Sequence, residues 1–97
     1  MKYIITYDIS KSKYRKMTSD FLISEGFIRV QKSVFIGNSN PKYIKKLENK
    51  INYFLDEITD SVIFCPICMT SLEKSVFIGI TFDLDDLEKF KEFIFFI

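Results

Sequence analysis

The chain predicts an α+β fold, a sheet with its helices on one face. Three observations predict it: short β-branched and aromatic runs, two segments whose apolar residues recur every three or four positions, and an interleaved order of the two. At 97 residues, 47% of them hydrophobic and eleven of them Phe, the chain forms one domain spanning 1–97. That apolar content excludes disordered and low-complexity classes.

Residues 2–8 (KYIITYD) read as the first strand, with Tyr3, Ile5 and Tyr7 on one face and Ile4 and Thr6 on the other. A strand apolar on both faces belongs in the interior of its sheet, and this one delivers Asp8 at its C-terminal end. A helix follows from about Lys13 to Glu25, with Tyr14, Met17, Phe21 and Leu22 on its apolar side. Ser12 is its expected N-cap, and Gly26 suits the left-handed residue after it. Residues 27–37 (FIRVQKSVFIG) read alone as one long strand whose weakest point is Gln31-Lys32-Ser33.

Asn40 and Pro41 then give an N-cap and a first-turn proline. Behind them Ile44, Leu47, Ile51, Phe54, Leu55 and Ile58 mark a second helix, with Lys42, Lys45, Lys46 and Lys50 off the stripe. Strands are expected at about Ser61–Cys65 and Ser75–Ile80, then a polar helical stretch from Asp83 to Lys91 and an apolar end, Phe93–Ile97. Two helices among four or five strands in this order match the ferredoxin-like arrangement. Phe21, Phe27, Phe35, Phe54, Phe64 and Phe77 are expected in the core. The terminal EFIFFI is expected to add to a sheet edge, its own or a partner's.

A net charge of +1 excludes a uniformly basic nucleic-acid binder, and the lack of His removes His-based general bases and most mixed metal sites. The total hides a split. Residues 1–50 hold eleven Lys and Arg against four acids, a net +7, and residues 51–97 hold three Lys against nine acids, a net −6. Such an asymmetry suggests a positive face aimed at an anion; the alternative is two halves that attract each other within the fold or across a dimer. The first residues lack a signal-peptide pattern, and no apolar run approaches the ~20 residues that span a bilayer. The two cysteines then read as reduced thiols, and the expected location is the cytoplasm, away from membranes.

Asp8 is the leading candidate for chemistry, because a carboxylate held at a strand end can offer oxygen to a hard divalent ion. Lys11, Lys13 and Arg15 follow within a turn, and Ser10 and Ser12 can donate hydrogen bonds to phosphate. The competing reading makes Asp8 a cap of the turn. One carboxylate is a poor Mg²⁺ site, a deficit that a second copy of Asp8 across a two-fold axis would repair. Cys65-Pro66-Ile67-Cys68 has the spacing of half a zinc site, but with no His and no third Cys it reads as small apolar residues at a strand end.

Tyr7-Asp8-Ile9, Arg15, Gly26 and Arg29-Val30-Gln31-x-Ser33-Val34-Phe35, with the later Phe64-Cys65-Pro66-Ile67-Cys68 and Val76-Phe77-Ile78-Gly79, resemble the small CRISPR-associated endonuclease family, "Cas-two" in words. The resemblance spans about residues 1–80. It implies a βαββαβ core in which residues 27–37 are two strands meeting near Gln31–Lys32, with an additional C-terminal strand. It also implies a homodimer with sheets packed face to face, residues 81–97 packing on or exchanging with the partner. By the same resemblance Asp8 is the Mg²⁺ ligand and the catalytic carboxylate, one from each protomer, and Tyr7, Ser10, Ser33 and Phe35 support the cleft. Ser10 and Lys11 stand where the family often carries an acid, and Ile36 where it often carries Glu.

The resemblance implies an Mg²⁺-dependent endonuclease acting on RNA or double-stranded DNA, and a partner of CRISPR integrase dimers in spacer acquisition. Lys11, Lys13, Arg15, Arg29, Lys45 and Lys46 are the expected nucleic-acid contacts. Two other readings use the same residues: a DNA-binding bridge without obligatory chemistry, and a ribonuclease toxin of the virulence-associated D type.

Overall fold

The computed structural model of the protein describes residues 1–76 and Ile78. Its elements run β1 (Lys2–Asp8), α1 (Ser12–Ser24), β2 (Ile28–Gln31), β3 (Val34–Asn38), α2 (Pro41–Asn52), β4 (Ser61–Ile67) and α3 (Met69–Lys74). The four strands form one sheet in the order β2-β3-β1-β4, every neighbouring pair antiparallel. β1 is thus interior, as its two apolar faces predict, and the ferredoxin-like βαββαβ order holds. The expected strand Ser75–Ile80 falls largely outside the described residues, and the expected segments Asp83–Lys91 and Phe93–Ile97 fall wholly outside them.

α1 and α2 pack on one face of the sheet. Tyr3, Ile5 and Tyr7 meet Leu22, Phe27, Phe35, Ile44, Leu47 and Ile51 there, with Phe21, Phe54 and Phe64 partly buried around them. Ile5, Leu22, Phe35, Leu47 and Ile51 are at most 1% exposed, and each such side chain contributes roughly 1.5–3 kcal/mol on burial. α2 starts as its sequence dictates: the Asn40 side chain accepts from the Tyr43 N–H at 2.8 Å and Pro41 occupies the first turn.

The structure corrects several expectations. Residues 27–37, which read alone as one strand, are the two strands that the family resemblance implies, because β3 must reverse to pair with β1; the turn falls at Lys32-Ser33. The N-cap of α1 is Lys11, with no side-chain cap bond, and Ser12 is the first helical residue. Met17 is exposed, while Thr18 and Ser19 are buried and bond back to the Tyr14 and Lys16 carbonyls; small side chains there let α1 lie close to the sheet. Ile58 is 94% exposed because α2 stops at Asn52 and the chain turns before β4. β4 itself extends two residues beyond Cys65; Pro66, opposite Tyr3, is tolerated there because β4 is an edge strand among the described residues.

The helices are also not confined to one face. α3, which the sequence does not announce, sets Leu72 against Ile28, Val30 and Ile36 on the opposite side of the sheet. Beside it, Ile4 and Val34 are half-buried and Ile63 is 60% exposed.

Candidate functional site

The end of β1, the first turns of α1 and the β2–β3 turn surround a cleft of about 450 Å³. Tyr7, Asp8, Ile9, Ser12, Arg15, Lys16, Ser19, Arg29, Lys32 and Ser33 line it, so four cationic residues and one acidic residue border the cleft. Helical geometry explains the α1 contribution: positions 12, 15, 16 and 19 share one face. Side chains alternate along β1, so Asp8 lies on the same face as Ile4 and Thr6, away from α1 and α2, and it is exposed.

The cleft is braced from beneath. Phe35 is fully buried, and Tyr7 stacks on it with ring centroids 6.1 Å apart. On the same face the Arg29 guanidinium lies 5.2 Å from the Phe35 ring centre. A bulge between Arg29 and Gln31 shifts the β2–β3 register there and keeps Arg29 opposite Phe35. The Arg29 Nε is buried and has no hydrogen-bond partner. Buried donors are almost always paired, so this one is an exception within the fold.

Arg15 has a second duty. Its Nη1 donates to the Ile9 carbonyl at 2.9 Å and the Ser10 carbonyl at 2.8 Å, tying down the loop that follows Asp8. From the other side, the Asp60 carboxylate accepts the Ser10 N–H at 3.0 Å, the Ser10 hydroxyl at 3.1 Å and the Asp56 N–H at 3.1 Å. The Ser10 and Asp56 amide N–H bonds, above all that of Ser10, hold Asp60 below the usual carboxylate range. Sequence reading missed Asp60; its signal is an acid just ahead of a strand that pairs with β1.

Of the expected site residues, the cleft gathers Tyr7, Asp8, Arg15, Arg29 and Ser33, with Phe35 as their support and Ser10 in the braced loop. Lys16 and Lys32 join them without having been singled out. Lys11 and Lys13 are not among the lining residues, and Lys13 sits instead over the Tyr14 ring at 5.8 Å. Lys45 pairs with Glu48 at 3.3 Å, and Lys46 lines a different groove on α2.

Among the described residues no three of His, Cys, Asp and Glu converge as a metal site. Asp8 therefore fits a hard divalent ion only as half of a shared site, one carboxylate per copy. Cys65 and Cys68 are both free and exposed. The backbone between them is strand and extended cap, which sets their Cα atoms ~10 Å apart. A disulfide needs less than about 7 Å, so these thiols cannot pair with each other in this fold.

The family profile described as CRISPR associated protein Cas2 matches residues 1–75. The protein named CRISPR-associated endoribonuclease Cas2 2, from Pyrobaculum aerophilum, is 35% identical over 51 residues, 53% of this chain and 56% of that one. CRISPR-associated endoribonuclease Cas2 1 from Archaeoglobus fulgidus is 29% identical over 81 residues, 84% of this chain and 86% of that one. Among solved structures, Streptococcus pyogenes Cas2 superposes with a TM-score of 0.71 at 22% identity, over 81% of this chain and all of that one. A hypothetical protein from Thermus thermophilus, TT1823, superposes at 0.62 with 25% identity, over 69% of this chain and 80% of that one.

Proposed function

The chain belongs to the Cas2 family of CRISPR-associated proteins, and from that premise we propose that it is a metal-assisted endonuclease that cleaves RNA phosphodiesters. The relatives carrying the name endoribonuclease support the substrate. The single observation that carries the reading is one cleft bordered by Asp8 and by Arg15, Lys16, Arg29 and Lys32. Family membership favours this over the toxin alternative.

Each side chain has a task in that chemistry. Arg29 and Lys32 hold the scissile phosphate and offset the charge that builds on its oxygens as water attacks. Arg15 and Asp60 hold the loop after Asp8 from opposite sides, so the carboxylate keeps its place relative to the phosphate. Asp8 and its twin would hold Mg²⁺, which when bound supplies a Lewis acid and an activated water. The reading therefore includes a homodimer joined through the sheet face that carries Ile63, whose exposure among the described residues supports burial by a second copy. Phosphate contacts without base contacts imply little sequence preference.

The deciding experiment compares wild type with Asp8→Asn on RNA and duplex DNA, each with Mg²⁺ and with EDTA. Removing a first-line metal ligand should lower cleavage at least about 100-fold, the upper range for losing mere outer supports, with the fold and sedimentation unchanged. Unchanged cleavage by Asp8→Asn ends the proposal. A second reading, a nucleic-acid bridge to the CRISPR integrase without hydrolysis, draws support from the single carboxylate; it expects Asp8→Asn to bind as wild type does and neither protein to cut.

A further inference from the structure

A groove of about 550 Å³ lies between the second half of α2 and the first half of β4 and shares no residue with the Asp8 cleft. Ile51, Leu55, Val62 and Phe64 give it an apolar lining, and Glu48, Glu57 and Asp60 border it with no lysine or arginine among the lining residues. We propose that this groove and the loop beside it dock another protein, through a segment in which arginines or lysines are interspersed with apolar side chains. The inference does not depend on the chain cutting RNA.

The loop between α2 and β4 carries the first argument. Tyr53 is 92% exposed and Ile58 94%, the highest values for large apolar side chains among the described residues. Each is the sequence neighbour of a groove residue, Asn52 and Glu57 respectively. One exposed apolar side chain is ordinary, but this loop is fixed in the shape that exposes Ile58. The Ile58 N–H donates to the Asp56 carboxylate at 2.9 Å, and the Asp60 N–H donates to the Asp56 carbonyl at 2.9 Å. The Asp60 carboxylate in turn accepts the Asp56 and Ser10 N–H groups, which anchors the loop to the body of the fold. A loop set in advance loses little freedom when a partner covers it.

Charge selects the occupant. The groove's acids repel phosphate, so nucleic acid is a poor guest. Residues 81–97 of the chain hold five acids against two lysines, the same sign as the groove. A cationic side chain fits on both counts, its apolar stem along Leu55, Val62 and Phe64 and its head toward Glu57 and Glu48. Glu57 has no cationic partner among the described residues, and Glu48 has only the exposed Lys45 at 3.3 Å, a surface pair worth little. Arginine suits the site better than lysine, since its planar head both pairs with carboxylates and stacks on rings such as Phe64. Val62 and Phe64 alternate with Ile63 along β4 and pack toward the helices. The groove therefore opens away from the sheet face that a second copy would cover.

The probe is a labelled peptide of about 16 residues, leucine and arginine patterned as an amphipathic helix, followed by fluorescence anisotropy. A leucine–glutamate peptide of the same pattern is the control. Wild type should bind the arginine peptide and not the glutamate one. Tyr53→Ser/Ile58→Ser should weaken binding at least about tenfold, the scale of losing two apolar anchors. Glu48→Gln/Glu57→Gln should weaken it about 2- to 30-fold at low salt and less as salt is raised. Asp20→Asn/Glu73→Gln removes the same charge from exposed acids elsewhere and should bind as wild type does. Should a double variant melt early, Ile58→Ser alone should still weaken binding at least about threefold. No binding by wild type, unchanged binding by Tyr53→Ser/Ile58→Ser, or an equal loss in Asp20→Asn/Glu73→Gln overturns the proposal. So does self-association by sedimentation that Tyr53→Ser/Ile58→Ser abolishes, which would assign the surface to a second copy. Weakened RNA binding in that same variant would assign it to nucleic acid and overturn the proposal too.

Discussion

Replacing Arg29 with methionine separates what this side chain does for the fold from what it does for a ligand. In the folded chain its Nε is buried and unpaired while its guanidinium lies 5.2 Å from the Phe35 ring centre. An unsatisfied buried donor costs about 1–3 kcal/mol, and a cation over an aromatic face returns roughly 0.5–2 kcal/mol. Methionine keeps an apolar stem on Phe35 and removes both effects, and the midpoints leave a net gain of about 0.5–1 kcal/mol. For a domain of this size that raises the melting midpoint by about 2–8 °C. Ligand binding should move the other way, the salt slope for nucleic acid flattening by about 0.9 as one phosphate contact is lost. Calorimetry or circular dichroism reads the first quantity and anisotropy the second. A midpoint lowered by several degrees would mean that Arg29 is a structural residue; an unchanged salt slope would mean that the cleft does not hold phosphate.

Two further perturbations test the frame around the site. Asp60 is held below the usual carboxylate range by the Ser10 amide first and the Asp56 amide next, so its contribution is complete above the unfolded value near ~3.9 and fades as pH falls through the folded one. Asp60→Asn should therefore melt a few degrees below wild type at pH 7, with the gap closing below about pH 4, and a gap that persists in acid would refute the assignment. At Gly37 an added methyl would fall within the buried Phe27 ring. Gly37→Ala should lose at least about 1–3 kcal/mol by urea unfolding, and an unaltered midpoint would show that the ring has room to move.

The parts of the fold that the sequence announces are those set by neighbours in the chain. Asn40 and Pro41 start α2 by local hydrogen bonding and a fixed φ, and Gly26 ends α1 with φ at +87°. The turn at Lys32-Ser33 carries no Gly, Pro or Asn; it is imposed by the pairing of β3 with β1, information that lies about thirty residues away in the chain. α3 is six residues long, too short for periodicity to show. The site divides in the same way. Asp8 is legible because a strand ends in it, whereas the cleft's α1 residues depend on azimuth. Reading 12, 15, 16 and 19 as one helical face would have selected Lys16 and set aside Lys11 and Lys13.

What the chain does with its charges separates structural from functional ones more sharply than their positions do. Asp60 sits at the surface, yet both its oxygens accept hydrogen bonds from the loops they join. Arg29 is half-buried with a donor unsatisfied, and the α2 lysines repel one another along a helix whose first turn already carries positive charge. A fold selected for stability alone would remove both features, because methionine at 29 or glutamate at 46 relieves them at no packing loss. The two features lie in grooves with no residue in common.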